Sequence, residues 1–198
     1  MDGQLTTTIQ QKIADGVTGP PPALTPRTVY VPAIGGKALA VIGMRRAGKT
    51  YFLWQCLRER LAGGAPRASL LYFNFEDERL AGMEASQLQL LPELYYRLHP
   101  TWRDQRRVTF FLDEIQNVPG WESFVRRLLD SEQIDLFVSG SSARLLSREV
   151  ATSLRGRGME VLVHPFSWRE VLRHTDAEPD GLLAAQPKAV RSLLDKSL

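Results

Sequence analysis

The sequence predicts an α/β protein built on a parallel sheet with helices on both faces. Two observations carry that prediction. Short apolar runs rich in β-branched and aromatic residues alternate with longer segments of helical spacing, and a glycine-rich loop joins the first run to a helix. Five runs qualify as strands, at residues 38–42, 70–75, 108–112, 134–138 and 160–163. Their near-continuous apolar character suits strands buried on both faces.

Residues 1–26 are polar and close on GPPPALTP, where prolines and a glycine break regular structure. They read as a tail and linker, with the core of the chain, residues 27–175, opening near Arg27. Leu53, Leu57 and Leu61 recur every fourth residue, and Trp121, Phe124, Val125, Leu128 and Leu129 follow helical spacing; both sets are packing faces. Leu88, Leu91, Leu94, Tyr95 and Leu98 trace a third helix, weakened by Pro92. Ser167 and Glu170 fit a capping box that opens a short helix over 168–173. Residues 176–198 form a C-terminal segment with a last helix over 182–198, interrupted at Pro187.

A length of 198 residues with 43% hydrophobic content suits one domain with an ordinary core. The 25 basic and 22 acidic residues leave a formal charge of +3, too small and scattered an excess to argue for nucleic acid. Cys56 is the sole cysteine, so no internal disulfide forms. No secretion signal and no run of about 20 apolar residues is present, which makes a cytoplasmic protein the expectation and leaves a membrane role to a partner.

The stretch GMRRAGKT, residues 43–50, satisfies GxxxxGK[ST] between an apolar strand and a helix, the context that this pattern needs. Gly43 and Gly48 let the backbone turn so that amides from Ala47 to Thr50, with Tyr51 beyond, point inward at phosphate oxygens. The helix that follows adds its positive end. Lys49 is placed to reach β- and γ-phosphates and the Thr50 hydroxyl to ligate Mg²⁺. Arg45 and Arg46 at the tip face a nucleotide, a neighbouring subunit or water.

A phosphate loop leaves metal and water unmanaged, and VTFFLDEIQ supplies two acids at the end of a buried strand. Asp113 is the candidate for the Mg²⁺ shell; Glu114 is the candidate to orient and polarise a water. The next strand ends in SGSS, where Ser139 and Ser141 are both candidates to contact phosphate or water, and Ser141 or Ser142 alternatively caps a helix containing Ala143, Leu145 and Leu146. Arg155 and Arg157, around a glycine in SLRGRG, read as surface residues in a monomer. In an oligomer either is a candidate to stabilise charge on a neighbour's γ-phosphate. His99, His164 and His174 are too scattered for a metal cluster or a nucleophilic triad.

Taken together, GMRRAGKT, YFNFEDERL, FFLDEIQNVPGWE, VSGSSARLLSRE and SLRGRGMEVLVHPFSWREVL resemble prokaryotic AAA-type P-loop ATPases related to the STAND group, whose longer members carry a C-terminal domain of unknown function. The resemblance covers residues 38–173. It implies a three-layer P-loop NTPase fold with a sheet ordered 5-1-4-3-2, ATP and Mg²⁺ as cofactors, Lys49 and Thr50 at phosphate and metal, and Asp113 and Glu114 as the Walker B pair. It also implies Ser139 or Ser141 in a sensor position, and Arg157 before Arg155 as an arginine finger. Residues 176–198 supply at most a fragment of the lid that such proteins carry. The expectation is ATP binding, with hydrolysis driving a conformational switch toward a protein partner or a second copy. The alternatives are a module that binds ATP without turnover and, below it, a nucleic-acid-stimulated ATPase.

Overall fold

In the computed structural model, residues 2–32, 36–103, 107–140, 154 and 156–175 are described. The chain divides into two units, Met1–Pro165 and Phe166–Leu198. The expected helices at 143–146 and 182–198 lie outside the described residues.

Where composition predicts a polar tail, the first unit opens with a helix, α1 (Asp2–Thr18). Ile9 and Ile13 are fully buried and Val17 nearly so, a stripe at four-residue spacing that the surrounding threonines and glutamines obscure. The helix lies close against the second strand: a Cβ added to Gly16 would sit 2.1 Å from the Tyr72 carbonyl oxygen. Arg67 donates from Nη2 to the Gly16 and Gly19 carbonyls at 2.7 and 2.8 Å. A cation thus supplies the donors that the end of the helix lacks. Lys12 pairs with Asp77 at 2.8 Å. Hydrogen bonds from Arg79 and then Lys12 hold the Asp77 carboxyl well below the usual carboxylate range. The FNFEDERL segment therefore fastens α1 to the exit of its strand; Asn74 accepts from the Glu76 N–H at 2.7 Å to shape the turn between.

Five parallel strands follow: β1 (Ala38–Ile42), β2 (Leu70–Asn74), β3 (Val108–Asp113), β4 (Ile134–Ser139) and β5 (Gly158–Leu162). Their order is β2-β3-β4-β1-β5, the 5-1-4-3-2 arrangement expected of an AAA-type P-loop fold. Helix α2 (Lys49–Ala62) covers one face, where Phe52, Leu53 and Leu57 meet Leu39, Val41, Phe111 and Phe137. The other face packs α1, α3 (Leu90–Leu98) and α4 (Trp121–Ser131) against Ala40, Phe110, Leu112 and Leu136. Each large side chain so buried stabilises the fold by about 1.5–3 kcal/mol relative to exposure. Cys56 belongs to the α2 layer, where burial pushes its thiol up to about 12, so it packs as a small apolar group.

Three expectations need correction. β5 is not buried on both faces, because it is an edge strand: Glu160 and Leu162 are exposed. Pro92 does not weaken α3, since it falls in the first turn, where a missing N–H costs no intrahelical bond. Leu98, at the end of that helix, is 46% exposed rather than packed.

In the second unit, α5 (Trp168–His174) carries the expected capping box. Glu170 Oε2 accepts from the Ser167 N–H at 2.8 Å, and Ser167 Oγ accepts from the Glu170 N–H at 3.4 Å.

Candidate functional site

The glycine loop leaves the carboxyl end of β1 at Gly43. A Cβ there would lie 2.3 Å from the Val163 carbonyl oxygen, so the close passage of two backbones admits only glycine. Gly48 takes the left-handed conformation, φ 91°, at the N-terminus of α2. Met44, Arg45 and Arg46 are exposed at the tip, with Arg46 also left-handed at φ 65°. The Ala47 N–H donates to the Met44 carbonyl at 3.1 Å. Closure of the tip turn engages this amide inside the loop.

Lys49 is 5% exposed and its Nζ donates to the Gly43 and Met44 carbonyls at 3.2 and 3.1 Å, a buried cation held across the loop. The amides of Lys49, Thr50 and Tyr51 belong to the first turn of α2, where no intrahelical acceptor exists, and they add to the positive end of the helix. Thr50 is half-buried beside Lys49, and Tyr51 is 53% exposed.

Asp113 ends β3 fully buried, on the same face of the sheet as Phe111 and therefore on the side of α2. A carboxylate so placed needs hydrogen bonds to hold its charge. Ser139 Oγ donates to Oδ1, and the Tyr72 hydroxyl donates to Oδ2 at 2.7 Å. Burial, and then the charge of Asp113, push the Tyr72 phenol far above its ordinary range, so it stays a neutral donor.

The neighbouring Glu114 adopts φ 53°, ψ 40°, a left-handed conformation that costs a non-glycine residue about 1–2 kcal/mol. Strain of this kind persists where surrounding bonds enforce it. Here the Glu114 N–H donates to Ser139 Oγ at 3.2 Å, and Gln116 Nε2 donates to Glu114 Oε2. The Phe75 N–H donates to the Asp113 carbonyl at 2.9 Å, and Asn117 Nδ2 donates to the Phe75 carbonyl at 3.3 Å. Ser139 therefore joins both acids.

Not all candidates converge. Ser141 and Arg155 lie outside the described residues. The Arg157 carbonyl accepts from the Ala38 N–H at 2.8 Å, which sets Arg157 at the amino end of β5, level with the start of β1. The loop lies beyond the other end of β1, five residues away, a span of roughly 16 Å. The Arg157 side chain pairs with Asp130 instead.

Two residues of this region escape a reading of the sequence. Arg27, 6% exposed, donates from Nη1 to the Ala47 carbonyl at 2.8 Å and from Nη2 to the His164 carbonyl at 2.6 Å. Its N–H donates to Gln55 Oε1 on α2 at 2.6 Å, and Gln55 returns a bond to its carbonyl at 3.0 Å. The proline-rich run before β1 thereby fixes the base of the loop. A lone arginine among prolines carries no motif that announces this. Tyr72 gives a weak signal, a hydroxyl in an otherwise apolar strand. Among the described residues, no helix is long and apolar enough to cross a membrane.

Comparison with known proteins finds a match to the model of the AAA domain family over residues 35–172. An uncharacterized protein of Methanocaldococcus jannaschii is 38% identical over 147 residues, 74% of this chain and 31% of that protein. One of Haemophilus influenzae is 34% identical over 145 residues, 72% of this chain and 35% of that protein. The matched part thus spans about a third of these relatives' length. Among solved structures, PCH-2 of C. elegans aligns with a TM-score of 0.43 at 8% identity, covering 82% of this chain and 42% of that one.

Proposed function

The chain belongs to the AAA domain family, and on that premise we propose that it binds ATP with Mg²⁺ at the loop 43–51 and hydrolyses it. The observation that carries this reading is the shared bond set of Asp113, Glu114 and Ser139 at the sheet end that also bears Lys49 and Thr50. The residues fit the cofactor: a cradle closed to any side chain at Gly43, a buried lysine, and a buried carboxylate aligned by two hydroxyls. Bound Mg·ATP supplies an electrophilic phosphorus and a metal charge.

The protein's contribution is to hold and orient. Lys49 and the first-turn amides of α2 bind phosphate oxygens; Thr50 and Asp113 hold the metal. Glu114 accepts the proton of the attacking water or polarises it, and Ser139, already bonded to the Glu114 amide, sets the distance between that residue and Asp113. Arg45 and Arg46 raise the positive potential at the entrance. The nucleotide state then switches the loops around Glu114 and Arg46, both held in the left-handed region, toward a protein partner or a second copy.

Glu114→Gln is the test. It retains ATP affinity within about twofold and lowers steady-state phosphate release by about 10²–10⁴-fold. Turnover equal to that of the unaltered protein overturns the assignment.

One observation favours a second reading, an ATP-binding module that is silent on its own. Arg157 lies at the far end of the sheet from its own loop, so no single copy brings this cation to its own phosphate. Turnover that rises with protein concentration separates a silent monomer from an active assembly.

A further inference from the structure

Thr50 and Trp54 lie four residues apart on α2 and so share one face of that helix. The Trp54 indole stacks on the Tyr72 ring, with centroids 4.1 Å apart and planes at 29°. The Tyr72 hydroxyl donates to Asp113 Oδ2 at 2.7 Å. A continuous path of contact therefore runs from the helix that bears Thr50 to the carboxylate that ends β3. Thr50 and Asp113, the proposed metal residues, come from different elements, and the Trp54–Tyr72 stack is one contact between them.

Resting on that reading of the site, we propose that Tyr72 is a positioning residue for the metal, holding the Asp113 carboxylate in the orientation that Mg²⁺ needs. Asp113 stands between two donors from the strands that flank its own. Ser139 of β4 holds Oδ1 and Tyr72 of β2 holds Oδ2, so rotation about the last side-chain bond breaks one or the other. The parallel register places Tyr72 opposite Phe111 and Asn74 opposite Asp113. A tyrosine two residues behind the carboxylate's register partner, on the same face, is long enough to reach it, whereas Asn74, directly opposite, turns its Oδ1 to the Glu76 amide. Partners that orient a ligating carboxylate typically contribute 10–100-fold in metal affinity.

The test uses ADP, which avoids turnover, with its binding measured by calorimetry across a Mg²⁺ series and in EDTA. Tyr72→Phe removes one oxygen and keeps the ring stacked on Trp54. The Mg²⁺ concentration at which ADP binding tightens half-maximally rises about tenfold, while affinity in EDTA stays within about twofold. A purely structural role for Tyr72 weakens binding equally with and without Mg²⁺, and that outcome overturns the proposal, as does an unchanged Mg²⁺ midpoint. Absence of any Mg²⁺-dependent ADP binding in the unaltered protein removes the ATP reading itself, and this proposal with it.

Discussion

At the carboxyl end of the sheet, Asp113 and Ser139 are completely buried and bonded to each other; at the amino end, Arg157 and Asp130 pair with 43% and 55% of their side chains exposed. The first arrangement is held by strands on both sides and by Tyr72, and its rearrangement would strand a buried charge. The second is screened by water, and pairs of that kind contribute about 1 kcal/mol or less. On the proposed function the contrast separates two kinds of residue: the groups assigned to the chain's own nucleotide are pre-set by its core, while the arginine proposed to serve a neighbouring copy rests in an exchangeable pair at the surface.

The largest effect expected from breaking this division is at Arg157. If a neighbouring copy uses this side chain, Arg157→Ala lowers turnover of the assembled protein by about 10³-fold or more, with ATP affinity unchanged. Mixing it with Lys49→Ala restores part of the activity, because the first supplies an intact loop and the second an intact arginine. Equal turnover in Arg157→Ala and the unaltered protein assigns Arg157 to the surface pair alone.

A change at the carboxyl end acts on folding as well as binding. Gly43→Ala pushes a methyl group into the Val163 carbonyl, which costs about 1–3 kcal/mol and lowers Tm by about 2–4 °C for each kcal/mol in a chain of this size. ATP binding weakens with it. Scanning calorimetry showing no change in Tm contradicts the close approach of the two backbones.

The smallest effect concerns the fastening of α1. The Asp77 carboxyl is held below its ordinary range in the folded state, so its contribution is fully present above about pH 4 and is lost progressively as pH falls from there through the lowered folded value. Asp77→Asn therefore lowers Tm by a few degrees near pH 7, about 2–4 °C for each kcal/mol lost, and the two melting curves converge in acid. A Tm difference that grows on acidification has the wrong sign for this account.

The difference between the two ends also explains what was legible in the sequence. The loop and the two acids follow local rules: strand, glycine turn, lysine, helix; then four apolar residues and two carboxylates. Helix α4 and the capping box at Ser167 and Glu170 are equally local. The stripe of Ile9, Ile13 and Val17 in α1 was present but outnumbered by polar neighbours, and composition hid a helix that packs into the core. Arg27 and Tyr72 act across long sequence separations. The role of Tyr72 depends on β2 lying beside β3, and hydrophobic spacing says nothing of strand neighbours. The exposure of β5 follows from the same strand order, which leaves it at an edge.

The most direct test of the central claim is the affinity of the protein for Mg·ATP, measured by calorimetry on the unaltered chain and on Lys49→Ala. On the proposed function the buried ammonium held across the loop is the group placed to bind the phosphates, which predicts measurable binding in the first and at least about 100-fold weaker binding in the second, a loss of about 2.7 kcal/mol. Equal affinity in the two proteins contradicts it.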